Sequence, residues 1–172
     1  MQSERVRLRP LRREDADVLY KWITTRELVL LNSSYHPVSE ADHEEWIESM
    51  MRRRSDVAIF VIEEKITGKA VGSCQLLNID MRHRNAELQI RIGEESHQGQ
   101  GLGSEAVRLL CDFGFRDLNL HRIYLRVFTT NSRAISAYKK CGFKEEGVSQ
   151  EAAFIDGAWV NVLGMGILNK YE

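Results

Sequence analysis

Long apolar runs are missing from this sequence. No stretch approaches the roughly 20 residues that a helix needs to span a bilayer, and the opening MQSERVRLRP has no apolar core of the kind a secretory signal carries. Both absences lead to the expectation of a cytoplasmic protein with no membrane partner. Cysteine is scarce. Cys74, Cys111 and Cys141 are odd in number and far apart, which suits reduced thiols and excludes a disulfide framework. There is no Cys-x-x-Cys pair and no histidine pair at ligand spacing, so no metal is implied. Proline is confined to Pro10 and Pro37, and no linker, repeat or low-complexity tract divides the chain. Charge of one sign is also lacking. Lys+Arg number 24 against Asp+Glu 25, which leaves no electrostatic case for nucleic acid as the main partner. The run Arg52-Arg53-Arg54 reads as a solvated helix end sooner than as a phosphate patch.

What is present is a pattern of short periodic segments. At 172 residues the chain has room for a single domain, 1–172, with a sizeable core. Arg5 to Leu11 alternates polar and apolar, as a half-buried strand does. Val18, Leu19, Trp22 and Ile23 recur at helical spacing. After an irregular stretch at Asn32 to Pro37, Ser39 and Asp42 resemble a capping box ahead of a second helix face, Trp46, Ile47, Met50 and Met51. Val57–Ile62 and Lys69–Leu77 read as strands joined at Thr67-Gly68, and Asn85–Ile92 as a third. On that third strand Ala86, Leu88, Ile90 and Ile92 point one way and Glu87, Gln89 and Arg91 the other.

Beyond a glycine-rich turn, Val107, Leu110, Cys111, Gly114 and Leu118 stripe a long helix. Arg122–Phe128 is again a strand, and Ser132–Lys140 a short helix stopped by Gly142. Phe143–Ile155 and Ala158–Leu168 meet at Asp156-Gly157, a hairpin signal. The order of elements predicts a mixed α/β (α+β) sheet with helices packed on it, not a doubly wound alternation.

Two segments carry chemistry. In Gln98-Gly99-Gln100-Gly101-Leu102-Gly103-Ser104, glycines at alternate positions let the backbone take positive φ and approach a ligand closely. The helix that begins there offers unpaired N–H groups and the positive end of its dipole, which suits a pyrophosphate. A plain strand-to-helix turn fits this segment equally well. In Asn131-Ser132-Arg133-Ala134-Ile135-Ser136-Ala137-Tyr138, Asn131 is a good N-cap and shares a helix face with Ala134 and Tyr138. A tyrosine on such a face is ordinarily core, yet its phenol is also able to protonate a leaving thiolate.

Together these segments resemble the GNAT superfamily of N-acetyltransferases over nearly the whole chain. The matching residues are Gln98, Gly101 and Gly103 of a Gln-x-x-Gly-x-Gly pattern, Asn131, Ala134 and Tyr138 of an Asn-x-x-Ala-x-x-x-Tyr helix, and Gly142-Phe143 at the start of the next strand. The resemblance implies a mostly antiparallel sheet with splayed central strands. It implies acetyl-CoA as cofactor and acetyl donor, with pyrophosphate on Gln98, Gly99, Gln100, Gly101, Leu102, Gly103 and Ser104. Pantetheine would run along Ile90, Arg91 and Ile92, with Asn131 and Ala134 beside it and Tyr138 facing the thioester sulfur. A homodimer is implied as well.

Within the superfamily the chain resembles bacterial spermidine and diamine acetyltransferases, through His83-Arg84-x-Ala86-Glu87 and Phe154-Ile155-Asp156-Gly157, and also the enzymes that acetylate ribosomal-protein N-termini. It departs from the spermidine enzymes at Asn32-Ser33-Ser34-Tyr35-His36, where those carry adjacent glutamates.

A protonated amine cannot attack until a base removes a proton. Glu87 is the candidate base. A surface salt bridge, with Arg126 for example, is the competing use of that carboxylate, and His36 and His97 are weaker alternatives. Cys141 follows the tyrosine helix without a histidine nearby in sequence and reads as a packed thiol, not a nucleophile. The expected activity is transfer of acetyl directly to a primary amine in a ternary complex, the amine being a small molecule of the polyamine, diamine or amino-sugar kind. The alternatives are a protein N-terminus as acceptor and a catalytically silent acyl-CoA-binding module. A dinucleotide-dependent oxidoreductase fails on context, because the glycine loop does not open a βαβ unit. The acidic helix with Glu40, Asp42, Glu44, Glu45 and Glu48 is either an attractant for a cationic amine or a solvated face.

Overall fold

A computed structural model of the chain describes residues 1–53 and 55–170. Seven strands form one sheet in the order β1-β2-β3-β4-β5-β7-β6, where β1 is Val6–Pro10, β2 Ala58–Glu64, β3 Ala70–Asp80, β4 Asn85–Ile92, β5 Arg122–Phe128, β6 Lys144–Ile155 and β7 Ala158–Leu168. Every pairing is antiparallel except β4 with β5. The helices are α1 (Ala16–Thr24), α2 (Arg26–Val29), α3 (Glu40–Arg52), α4 (Leu102–Arg116) and α5 (Ser132–Lys140). Among the described residues no helix is long and apolar enough to cross a membrane.

Each face of the sheet is covered by the helices whose apolar stripes match it. On α4, Ala106, Val107, Leu110 and Phe115 join Leu76, Ala86, Leu88 and Ile123 in the larger core. The opposite face holds a smaller cluster of Leu19 and Trp22 from α1, Ile47 from α3 and Val61 from β2. Ser39 caps α3 by accepting from the Asp42 amide at 3.1 Å. The α4 stripe ends at Arg116, so Leu118 packs on the core from beyond the helix. The single turn of α2 lies in a segment too short for a periodic signal.

Turns fall where the sequence places them. Asp156 and Gly157 both take positive φ (48° and 84°), the left-handed pair of a tight hairpin. Arg52 ends α3 and Arg53 caps it, both exposed, with Arg52 paired to Glu48 and Arg53 to Asp56. Arg54 lies outside the described residues.

The register of the sheet prepares the site. β4 and β5 run parallel and pair only at Asn85↔Arg122, Ala86↔Ile123 and Glu87↔Tyr124, then part company. A wedge therefore opens beyond Glu87, between the ends of two adjacent strands. The main-chain groups of Ile90, Arg91 and Ile92 on that side are left without the partners that a continued ladder would give.

Candidate active site

Two cavities meet at this wedge. The cofactor-side cavity, about 310 Å³, runs from Ile90, Arg91 and Ile92 past the glycine loop to the start of α5. The loop is fixed at several points. Gln98 donates its Nε2 to the Ile92 carbonyl at 3.2 Å and accepts from Arg133 Nη2 at 2.8 Å. Gly101 caps α4 with φ +85°, a conformation that disfavours any side chain, and the amides of Leu102, Gly103 and Ser104 find no internal acceptor among the described residues. Gly99 also has positive φ, and open space lies where a Cβ would project. Free N–H groups and bare backbone beside a cavity suit a pyrophosphate, so the residues present fit a CoA thioester donor.

Gln98, Gly99, Gly101, Gly103, Ser104, Asn131 and Ala134, all candidates from the sequence, line this cavity. Two expected residues do not. Leu102 is 2% exposed because the first turn of α4 directs it into the core. Gln100 folds its side chain back to donate to the Ser96 carbonyl at 2.5 Å, and its own carbonyl accepts from Arg5. Only the main chain of these two residues remains for a ligand. Asn131 Oδ1 caps α5 through the Ala134 amide at 3.2 Å, and its Nδ2 donates to the Leu31 carbonyl at 3.4 Å.

The second cavity, about 380 Å³, lies on the α1–α3 face. Strand register places its floor: Ser73 pairs with Arg91, Gln75 with Gln89, and Leu77 with Glu87, so these side chains rise from one face. Trp22 and Trp46 form part of its wall. Trp22 Nε1 donates to Glu94 Oε1 at 2.9 Å, and Lys21 Nζ reaches the same carboxylate at 3.0 Å. These bonds hold the Glu94 carboxyl below the usual carboxylate range, with the Trp22 bond the larger cause and Lys21 the next.

Tyr138 lines both cavities. Its ring packs on Phe143 with centroids 5.9 Å apart, and its hydroxyl makes no hydrogen bond to a described residue. Burial pushes the phenol up to about 12, so it stays a neutral donor at physiological pH. Glu87 is half-buried on the floor of the second cavity and accepts from Asn78 Nδ2 at 3.3 Å. It forms no ion pair with Arg126, although both line this cavity. His36 is exposed and lines neither cavity. His97 lies on the cofactor side, 3.5 Å from Glu64. The Cys141 thiol donates to the Ser104 carbonyl at 3.5 Å, and burial raises it, so it is a packed thiol and not a thiolate.

Gln75, Gln89 and Trp22 are absent from the sequence-derived candidates. Their signal is the β3–β4 register and the seating of α1, which a linear pattern does not encode. The acidic residues of α3 do not line the second cavity.

Comparisons with known proteins give a consistent result. The family profile described as an acetyltransferase (GNAT) domain matches residues 5–144. Spermidine N(1)-acetyltransferase of Escherichia coli (strain K12) is 35% identical over 166 residues, spanning 94% of this chain and 85% of that protein. The protein of the same name from Vibrio cholerae is 42% identical over 113 residues, 65% of this chain and 64% of its own. The crystal structure of spermidine N-acetyltransferase from Vibrio cholerae in complex with CoA and spermine superposes with a TM-score of 0.90 at 32% identity, covering 97% of each chain.

Proposed function

The chain belongs to the GNAT acetyltransferase family and is an acetyl-CoA-dependent N-acetyltransferase; from that premise we propose that it acetylates a primary amine of a small molecule by direct transfer. Acetyl-CoA supplies the activated acetyl thioester. The observation that carries the reading is the position of Tyr138 on the wall shared by the two cavities, which suits a proton donor between a thioester and an amine. The main chain of Gln98 to Ser104 would hold pyrophosphate, and Ile90 to Ile92 with Asn131 and Ala134 would flank the pantetheine arm. Glu87 would take the amine proton, directly or through water. Holding both reactants in two abutting cavities supplies orientation without a covalent enzyme intermediate.

Relatives named for spermidine support polyamines and diamines as the first acceptor class to test. Amino sugars and peptide N-termini complete the panel, because Asn32 and Ser33 of the divergent loop line the acceptor cavity. A homodimer is supported by the outer strand β6 and its hairpin, which leave Phe154 52% and Trp159 62% exposed. The test is CoA release from acetyl-CoA with each amine, product identity being read by mass spectrometry. Acetyl-CoA binding without acetylation of any amine would turn the reading towards a silent acyl-CoA-binding module.

A further inference from the structure

The acceptor cavity contains two guanidinium groups for which a polycationic acceptor has no use. Its charged lining is Glu87, Arg91 and Arg126, two guanidinium groups to one carboxylate. Arg91 makes no hydrogen bond or ion pair with any described residue, and its Nε is buried with no acceptor. Burial alone pushes this guanidinium down from its ordinary value. A partly buried cation with a buried, unpartnered Nε is costly, and a ligand that supplies anionic oxygens removes that cost. One register step away, Gln75 donates to Gln89 Oε1 at 3.0 Å while its own Oε1 is buried with nothing donating to it. Arg126 lies on the same face: β5 pairs in parallel with β4 at Glu87↔Tyr124, and Arg126 is two positions further along. Unmet cationic donors and an unmet acceptor therefore stand side by side on the floor of one cavity.

We infer that the acceptor is a small amine that also carries an anionic oxygen group, a carboxylate or a phosphate, received by Arg91 with Arg126, while Gln75 Oε1 accepts a further N–H or O–H of the same molecule. This rests on the acetyltransferase reading above and narrows its acceptor class away from polyamines. The guanidinium fork matches the paired oxygens of a carboxylate or phosphate. A polyamine brings only positive charge to a cavity that is already net positive, and leaves Arg91 unpaired. The same positive surroundings lower the pKa of the incoming amine and enlarge its neutral, nucleophilic fraction. Arg91 also lines the cofactor-side cavity, so the donor's phosphates are the competing source of anionic oxygen.

Matched amine pairs that differ only in the acid group test the inference: lysine against 1,5-diaminopentane, and glucosamine 6-phosphate against glucosamine, with spermidine as the polycation. The expected result is a kcat/KM at least about 10-fold higher for the acid-bearing member of one pair, the scale of a charge-assisted hydrogen bond. The carboxylate and phosphate arms identify which group it is. Arg91→Gln and Arg91→Met should bring that ratio close to one, the acid-bearing member losing more kcat/KM than its partner; because Arg91 also lines the cofactor-side cavity, acetyl-CoA affinity is measured alongside by calorimetry. Arg126→Met, at an exposed position, is the variant least able to disturb folding and should lower the same ratio.

Preference for spermidine or the diamine would overturn the inference and leave the acetyltransferase reading standing. So would a ratio unchanged in the Arg91 variants, or a loss of acetyl-CoA affinity that matches the loss of turnover, which would assign Arg91 to the donor. Acetylation of no amine by a protein that binds acetyl-CoA would overturn both.

Discussion

Arg133 Nη2 donates to Gln98 Oε1 at 2.8 Å, and Gln98 Nε2 donates in turn to the Ile92 carbonyl at 3.2 Å. One side chain thus ties the end of β4, the glycine loop and the first turn of α5, three pieces that together bound the cofactor-side cavity. The tie is exposed, so its contribution is modest. Arg133→Leu should raise the acetyl-CoA Kd by about 2–5-fold, the scale of an exposed charged contact. Isothermal calorimetry decides, and an unchanged Kd would mean that the loop holds its shape without Arg133.

Gly101 caps α4 at φ +85°, and a Cβ built there would lie 3.1 Å from Arg5 Nη2, the far end of a flexible side chain. Space is therefore less limiting than backbone strain. Gly101→Ala should cost about 1–2 kcal/mol of stability, the price of a left-handed alanine. Acetyl-CoA affinity should fall by about 10-fold if the amides behind it receive phosphate. A folded Gly101→Ala protein with wild-type acetyl-CoA affinity would remove the loop from the binding site.

The Tyr138 hydroxyl has no hydrogen-bond partner among the described residues, so Tyr138→Phe should leave stability and acetyl-CoA affinity nearly unchanged. The turnover number should fall by about 10²-fold, the effect of losing a positioned acid. Burial raises this phenol from 10.0 to about 12, so its neutral form is fully present below pH 10 and is lost as pH rises through 12. The rate profile should show no basic limb from Tyr138 below pH 10, and alkaline destabilisation of the fold should begin above that value. Wild-type turnover in Tyr138→Phe, measured by rapid quench so that chemistry limits, would end the assignment.

Glu87 is half-buried, bonded to Asn78, and placed on the floor of the acceptor cavity. Glu87→Gln keeps the shape and removes the proposed base. The acid limb of kcat/KM should change, and acetyl-CoA affinity should not. Superimposable pH profiles for the two proteins would return Glu87 to a structural role.

Far from the cavities, Arg9 bonds Asp15 at 2.7 and 2.8 Å and also pairs with Glu63 at 2.9 Å, and the Arg12 amide donates to Asp15. Burial raises the Asp15 carboxyl, but hydrogen bonds from Arg9 and the Arg12 amide outweigh it, so the group sits below its usual value of 3.8. Its folded form is therefore favoured above about pH 4 and loses that support as pH falls through the lowered value. Asp15→Ala removes one of the two carboxylates that the largely buried Arg9 guanidinium pairs with, leaving Glu63, and should cost about 1–3 kcal/mol. Urea melts at pH 7 and pH 3 should show the loss at pH 7 and a smaller difference at pH 3.

The order of elements was legible in the sequence because it depends on local chemistry. Apolar spacing named the strands and helices, Ser39 and Asn131 announced their helices as caps, and Gly142 and Asp156-Gly157 marked turns that only left-handed residues enter readily. The glycine loop and Tyr138 were visible for the same reason, being local motifs with fixed spacing. What only tertiary structure decided concerns neighbours distant along the chain. The Trp22 ring lies where a Cβ at Gly93 would be, 2.1 Å away, so α1 is seated against bare backbone. Arg91, Gln75 and Arg126 come from three strands and meet because register, not spacing, sets which side chains share a face. Which loop side chains turn inward, as Leu102 does, or fold back, as Gln100 does, depends on how α4 meets the core. Periodicity fixes which face a residue takes within its own element, and the packing of elements decides what that face meets.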